Sequence, residues 1–488
     1  MIKNYIAYLF FAFSLNIVSS QELSSLPLFS MDNLDYQGAF RLDAGTYGSS
    51  NMNFAQGPLA YNSVNNSIFI VGHSHHQAIA EFKIPSLVNS TVITDLNSVK
   101  EPMQVFTQFL NKTPDGNPEG IDRIGGLYPI LDNGQQKLIV NAYEYYDAPG
   151  DNTVSTLLID NANNLEDTTV KGYLKFEGGS GHTSGWISPI PENLKSVLGG
   201  THITGQSSGI PIISRTSVGP SAFAFNMDNL LNTENTINTT KLLDFSLTNP
   251  LHSDLSNTSL ANDIWTHLSR AVYGFIVPGT RSYITIGKSG GHQTGVCYKC
   301  TQSNGNLCGG YCTPDSNDNY NYYWLWDLND LLEVKNGERW PYDIQPYDYG
   351  KFNTPFQSSA NSINGGSFDP ITGNLYLSIE NADNEQGRYA NPPIIVVYQT
   401  GASLDISMNI AQNIEIYPNP TYGNITIDAP ESSYTINVIN TIGATINSSK
   451  KKGKSFDIDL SSFANGMYFL VIENLDTHLV SVEKILKK

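Results

Sequence analysis

Between Leu34 and Tyr398 the chain alternates apolar and polar residues in short runs, and each run stops at a cluster of Asn, Asp, Gly or Pro. A period of two is that of a strand with one buried face, and such clusters mark turns. One unit recurs: a strand, a turn, then a β-rich strand ending on polar residues. It runs G-P-L-A-Y-N-S-V-N-N-S-I-F-I-V-G-H from Gly57 to His73 and G-G-L-Y-P-I-L-D-N-G-Q-Q-K-L-I-V-N-A-Y from Gly125 to Tyr143. It returns from Ala271 to Lys288 and from Gly366 to Asn381, and a divergent copy spans His182 to Gly205. A hairpin followed by further strands, such as Ala78 to Ile84, is the unit of a propeller blade. The expected fold is all-β, a β-propeller. Five hairpins are clear, and weaker strands near Leu243 and Tyr347 leave room for seven blades, the number expected. Leu34 to Leu42 and Pro392 to Tyr398 are placed to pair and close the ring, which removes exposed edges. A pair of β-sandwiches is the rival fold.

This pattern also makes a statement about function. The turn of each hairpin sits at one end, so the residue finishing the second strand lands at the open end, beside the start of the first. Those finishing residues are His73, Tyr143, Lys288 and Glu380/Asn381. In a propeller the open ends of the inner hairpins gather on one face around the axis. That face would be polar and aromatic, which suits a sugar chain.

From Ile414 the pattern changes to a separate module of about 75 residues, read as a small antiparallel β-sandwich. Its Y-P-N-P-T (Tyr417 to Thr421), its N-G-M-Y (Asn465 to Tyr468) and its terminal Lys484, Lys487 and Lys488 resemble the C-terminal sorting domain of the type IX secretion system of Bacteroidetes. The resemblance implies export past the outer membrane and a partner in that secretion machinery. The opposite end agrees: Lys3 is followed by the apolar run Ile6 to Leu15 and by Val18-Ser19-Ser20 before Gln21, the pattern of a cleaved signal peptide. That run is too short to cross a bilayer, which takes about 20 residues. The expected organisation is a signal peptide over 1–20, a catalytic propeller over 21–405 and a sorting domain over 406–488, in a secreted, monomeric protein without a membrane span.

The formal net charge of −18 excludes a nucleic-acid binder, since neutralising phosphates needs a basic face. Any acidic polymer must then be met by a local basic patch on a repelling body. With Pro278 to Arg281 as the turn, Tyr273 and Lys288 fall opposite or nearly opposite one another, a phenol beside an ammonium; the plainer reading is a half-buried Tyr with a snorkelling Lys. Histidines cluster in Gly/Ser/Thr-rich stretches at G-H-S-H-H (Gly72 to His76), G-S-G-H-T-S-G (Gly179 to Gly185) and G-G-T-H-I-T-G (Gly199 to Gly205). Small neighbours leave room for a ligand, though a metal-binding or merely solvated role for His73, His75 and His76 stays open.

The four cysteines form Cys297-x2-Cys300-x7-Cys308-x3-Cys312, five residues after His292. In an exported protein two disulfides are the default. The spacing, with His292 included, equally suits a closed structural zinc site, and either one braces the insertion instead of doing chemistry.

Taken together, residues 34 to 400, with Y-Q-G-A-F-R-L, I-F-I-V-G-H, S-G-H-T-S-G-W and P-I-I-S-R-T-S-V-G-P, resemble the β-propeller ulvan lyases of marine bacteria. The resemblance implies β-elimination in ulvan, a sulfated uronate-containing polysaccharide. That chemistry requires a neutraliser of the uronate carboxylate, a base for H5 and an acid for the departing O4. The resemblance places the proton carriers at His182, His202 and Tyr273. The position of its neutralising arginine is held by Lys288, with Arg215 and Arg270 in reserve; His73 and Tyr143 join these two as substrate contacts. Two other classes stay open, a non-catalytic carbohydrate-binding propeller and a glycoside hydrolase. The second needs paired carboxylates, and Glu144 and Glu380 are not paired by sequence.

Overall fold

The computed structural model describes residues 23–208, 212–233, 235–401, 414–440, 445–475 and 480–488. The signal-peptide assignment and the 405/406 boundary lie outside them. The chain divides into two compact units, Met1–Ala402 and Ser403–Lys488.

The described part of the first unit is built on a ring of five sheets whose four main strands pair antiparallel. Blade one holds Leu59–Asn62, Ser67–Val71, Ala78–Lys83 and Gln104–Gln108; blade two holds Arg123–Asp132, Gln135–Tyr143, Thr156–Ile159 and Val170–Phe176. Blade three is built from Ile187–Pro189, His202–Thr204, Ala222–Phe225 and Thr240–Leu243, and blade four from Arg270–Ile276, Ser282–Gly290, Asn319–Asp327 and Asp348–Lys351. Blade five takes Ile363–Asp369, Asn374–Ile379 and Ile394–Thr400, and borrows Leu34–Leu42 from the start of the chain. That borrowed strand pairs antiparallel with Ile394–Thr400, Leu34 facing Thr400 and Arg41 facing Ile394, so the ring closes through hydrogen bonds between its two ends.

The first strands of successive blades pack on one another all the way round. A small ring demands close approach, and glycine supplies it. A Cβ at Gly126 in blade two would lie 1.9 Å from the carbonyl oxygen of Gly185, which leads into blade three. Among the described residues five blades, not seven, surround the axis. The segments near Leu243 and Tyr347 are not further blades: Thr240–Leu243 and Asp348–Lys351 are the outermost strands of blades three and four. Trp265, Trp324, Trp326 and Tyr283 fill the main core, and Trp186 satisfies its indole N–H on the Tyr283 hydroxyl at 2.9 Å.

In the second unit the long strand Asn424–Asn440 pairs with Thr445–Asp459 along one edge. Its other edge takes Glu415–Tyr417 over the first half and Gly466–Asn474 over the second, and Val480–Lys487 follows. Ile427, Tyr434, Ile436, Leu470 and Ile472 form a core of their own.

Candidate active face

The first strand of each blade starts on the open-end face and the second returns to it. His182 belongs to the short helix Ser180–Thr183 just before blade three, which places it on that face. Its Nδ1 lies 2.6 Å from Oδ1 of Asp244, the residue following the outermost strand of the same blade. Lys241 Nζ holds the other oxygen of Asp244 at 2.5 Å. Burial alone would raise the Asp244 pKa, but the bonds from His182 and Lys241 keep it below the usual carboxylate value. The imidazole is thus oriented through Nδ1 by an ionised carboxylate, which leaves Nε2 for a ligand.

On blade four, Arg270 stands directly across from Lys288. Lys288 Nζ binds Glu380 Oε1 at 2.9 Å, and Ser362 and Asn364 also donate to that carboxylate. Glu380 is buried; burial would raise its pKa, yet Lys288, Ser362 and Arg270 hold it down. The segment after blade three's second strand ties His182 to Arg270. Ser217 N–H bonds the Gly181 carbonyl and Ser208 N–H the Ser217 carbonyl, while Ser207 Oγ bonds both the N–H and the carbonyl of Ala271.

Two expected members are elsewhere. Tyr273 faces Ile286, the register the turn itself sets, two residues short of Lys288; a bulge between Ala271 and Tyr273 then gives the place opposite Lys288 to Arg270 in place of Ala271. The Tyr273 side chain is buried in the core, its hydroxyl accepts the Phe368 N–H at 2.9 Å, and burial pushes its pKa well up. His202 begins the second strand of blade three opposite Pro189, at the turn end, hence on the far face. Its Nε2 meets the Tyr128 hydroxyl at 3.0 Å and its Nδ1 the Thr201 hydroxyl at 2.9 Å. Burial, with Lys195 adding to it, lowers its pKa to about 3, so it stays neutral. A cavity of about 190 Å³ lined by Tyr61, Tyr128, Gln136 and Asp369 opens on that far face, away from these cations.

The expected contact residues vary. His73 stacks on His76 at 4.7 Å, and burial together with His76 and His75 lowers its pKa. Tyr143 is buried. Arg215 is exposed, and its guanidinium lies against Gly150. Beside it is an acidic group of which the sequence points only to Glu144. Glu144, Asp147 and Asp151 bring carboxylate oxygens within 4.8 Å of one another. Burial and these neighbours raise the Glu144 pKa. Asn152 links Glu144 to Glu119, whose carboxyl burial would raise but whose bonds from Thr153, Val154 and Asn152 lower.

The cysteines form two disulfides, Cys297–Cys300 and Cys308–Cys312, and Cys300 Sγ lies 3.4 Å from Cys312 Sγ. The sulfurs of Cys297, Cys300 and Cys312 fall within 4.8 Å of one another, a spacing a metal ion would also accept. His292 is not a fifth ligand, since Ser289 Oγ engages its Nε2 at 2.7 Å and the Asn262 carbonyl its Nδ1 at 3.1 Å.

Fold and face together define an exported five-bladed β-propeller with a histidine–carboxylate pair and a cationic edge. Residues 415–488 match the family model described as "Secretion system C-terminal sorting domain", so the protein is delivered by type IX secretion to the cell surface or the extracellular space. No described helix is long and apolar enough to cross a membrane. No curated protein matches the chain in sequence. Among solved structures it is similar to a GH32 beta-fructofuranosidase of Bombyx mori, at 8% identity and a TM-score of 0.35, covering 97% of this chain and 93% of that one. A likeness that distant carries no argument about activity.

Proposed function

We propose that this propeller is a polysaccharide lyase acting on a uronate-containing chain, ulvan being the substrate implied by the resemblance, and that the reaction uses the open-end face of blades three and four. The observation that carries this reading is the His182–Asp244 pair, with Nε2 of His182 left unclaimed among the described residues. Arg270 and Lys288 would oppose the uronate carboxylate and so acidify H5. His182 Nε2 would take H5, the C5 electron pair would form the C4–C5 double bond as C4–O4 breaks, and the imidazolium would return its proton to O4. One histidine then serves as base and acid. Tyr273 and His202 have no part. Arg270 offers the bidentate fork that a carboxylate prefers, which Lys288 lacks.

A second reading has its own support. Glu144, raised, and Glu119, lowered, are carboxyls whose environments push them apart, as a glycosidase needs. Incubating the exported protein with ulvan and other uronate polysaccharides separates the two. A lyase gives ultraviolet-absorbing unsaturated ends, lost in His182→Ala. Reducing ends without that absorbance would install the hydrolase, and retention of polymer without any product would install a binding module. At the cysteine loop, zinc held by the four sulfurs is proposed as the alternative to the disulfides, bracing the loop in the same way.

A further inference from the structure

The cysteine insertion, residues 291–318, leaves blade four on the same face, directly after Gly290. It folds back as the two-residue ladder Cys297–Tyr298 against Tyr311–Cys312, with Tyr298 facing Tyr311 across it. Both rings reach the surface, Tyr298 60% exposed and Tyr311 45%. Neither is loose. The rings lie 5.1 Å apart, Tyr311 stacks on His267 at 4.1 Å, and the two disulfides close the loop on either side. His267 stands three residues before Arg270, so this surface continues that of the candidate site.

Cations accompany the aromatics. Lys299 Nζ sits over the Tyr298 ring at 5.2 Å. At the open ends of the third and fourth strands, Lys351 Nζ sits over Tyr320 at 3.5 Å. Arg270 and Lys288 occupy the first and second strands of the same blade. On a body carrying a net charge of −18, this end of blade four gathers three tyrosines and four cations, of which Lys288 is already paired with Glu380. An aromatic ring offers the C–H face of a pyranose a flat apolar contact, and a neighbouring ammonium pairs with an acidic substituent.

We infer that the rim of blade four, from Arg270 outward through Lys351/Tyr320 to the Tyr298/Lys299/Tyr311 loop, is an extended binding strip for several consecutive units of an acidic polysaccharide. The inference rests on the proposed lyase reading for the location of bond cleavage, but the strip itself binds whether or not the bond is cut. It makes the protein a reader of polymer length. A chain spanning the strip gains contacts that a two- or three-sugar fragment cannot.

The experiment uses the full exported protein, the double variant Tyr298→Ala/Lys299→Ala and, separately, Lys351→Ala, all at exposed positions. The probe is ulvan, cast into a native gel for retardation and supplied in solution for kinetics. The expected result is weaker retardation and a KM on polymer raised roughly 3- to 10-fold with kcat unchanged. Short fragments should be turned over as before, and the salt dependence of retardation should become shallower. Unchanged retardation and KM in both variants, with cleavage intact, would overturn the strip and leave the lyase reading standing. Retardation lost in the variants of a protein that cleaves nothing would do the reverse. Wild-type protein that is not retarded overturns the strip outright.

Discussion

Asp244 Oδ1 lies 2.6 Å from His182 Nδ1, although the two residues are 62 positions apart and flank opposite edges of blade three. The pair depends on the whole blade: His182 precedes its first strand and Asp244 follows its last. Asp244→Asn keeps the shape but replaces an ionised acceptor with an amide, so the imidazole loses the partner that selects its tautomer. Turnover is expected to fall by about 10²-fold with the thermal midpoint little changed, and His182→Ala by at least as much. Steady-state kinetics on a uronate polysaccharide, read beside a melting curve, test this; normal turnover in either variant removes His182 from the reaction.

Lys288→Met leaves the buried Glu380 carboxylate without its ammonium. That change should cost roughly 1–3 kcal/mol, discounted because Lys288 itself is partly exposed. Since the folded Glu380 pKa is depressed, its contribution is present above the unfolded value of about 4 and disappears as pH falls through the folded one. Denaturant titrations at pH 7 and near pH 3 should therefore show a smaller difference between wild type and variant at the acid end. An equal loss at both would mean that packing, not charge, holds the pair.

Tyr273→Phe is expected to keep full turnover. The hydroxyl accepts the Phe368 N–H inside the core, so its loss orphans a buried donor and should cost about 1–3 kcal/mol in stability. A drop in kcat without a drop in stability would return Tyr273 to the active site.

His202 gives stability a slope of its own. Folding holds it neutral down to about pH 3, whereas the unfolded chain protonates it near 6.5. The unfolded state thus binds more protons between those values, and stability falls as pH drops through that window. His202→Asn should flatten the slope between pH 6.5 and 4.5, on the order of 1 kcal/mol per unit. A slope as steep as that of wild type would show that other groups produce it.

For the cysteine loop, intact mass and thiol labelling of the exported protein should show no free thiols and two disulfides. Reduction should destabilise the insertion and weaken retention of polymer before it lowers kcat on short fragments. Four labelled thiols with about one zinc per chain would instead establish the metal.

Much of the architecture was legible in the sequence because its signals are local. The hairpins Gly57–His73, Gly125–Tyr143, Ala271–Lys288 and Gly366–Asn381 carry their own alternation and turn residues, and the closing strands Leu34–Leu42 and Ile394–Thr400 announce themselves by apolar runs. Even the divergent copy from His182 to Gly205 proved to contain the inner hairpin of blade three. The tail, with its Y-P-N-P-T and N-G-M-Y, was equally self-contained. The blade number was not legible, because an outer strand and a new blade look alike until partners are assigned.

The site depended on tertiary structure at each step where a one-residue or one-end difference matters. The register set by the turn put Tyr273 opposite Ile286, and a single bulge after Ala271 put Arg270 opposite Lys288. The short first strand of blade three sent His202 to the turn face, while His182, twenty residues earlier, stayed on the open one. Asp244 sits in an ordinary strand-end sequence, and nothing about Leu243-Asp244-Phe245 marks it as a partner for a histidine. Alternation and turn chemistry are properties of neighbours along the chain, so the sequence determines them alone. Which side chains meet at a strand end is settled by register and ring closure, and those exist only once all five blades have packed.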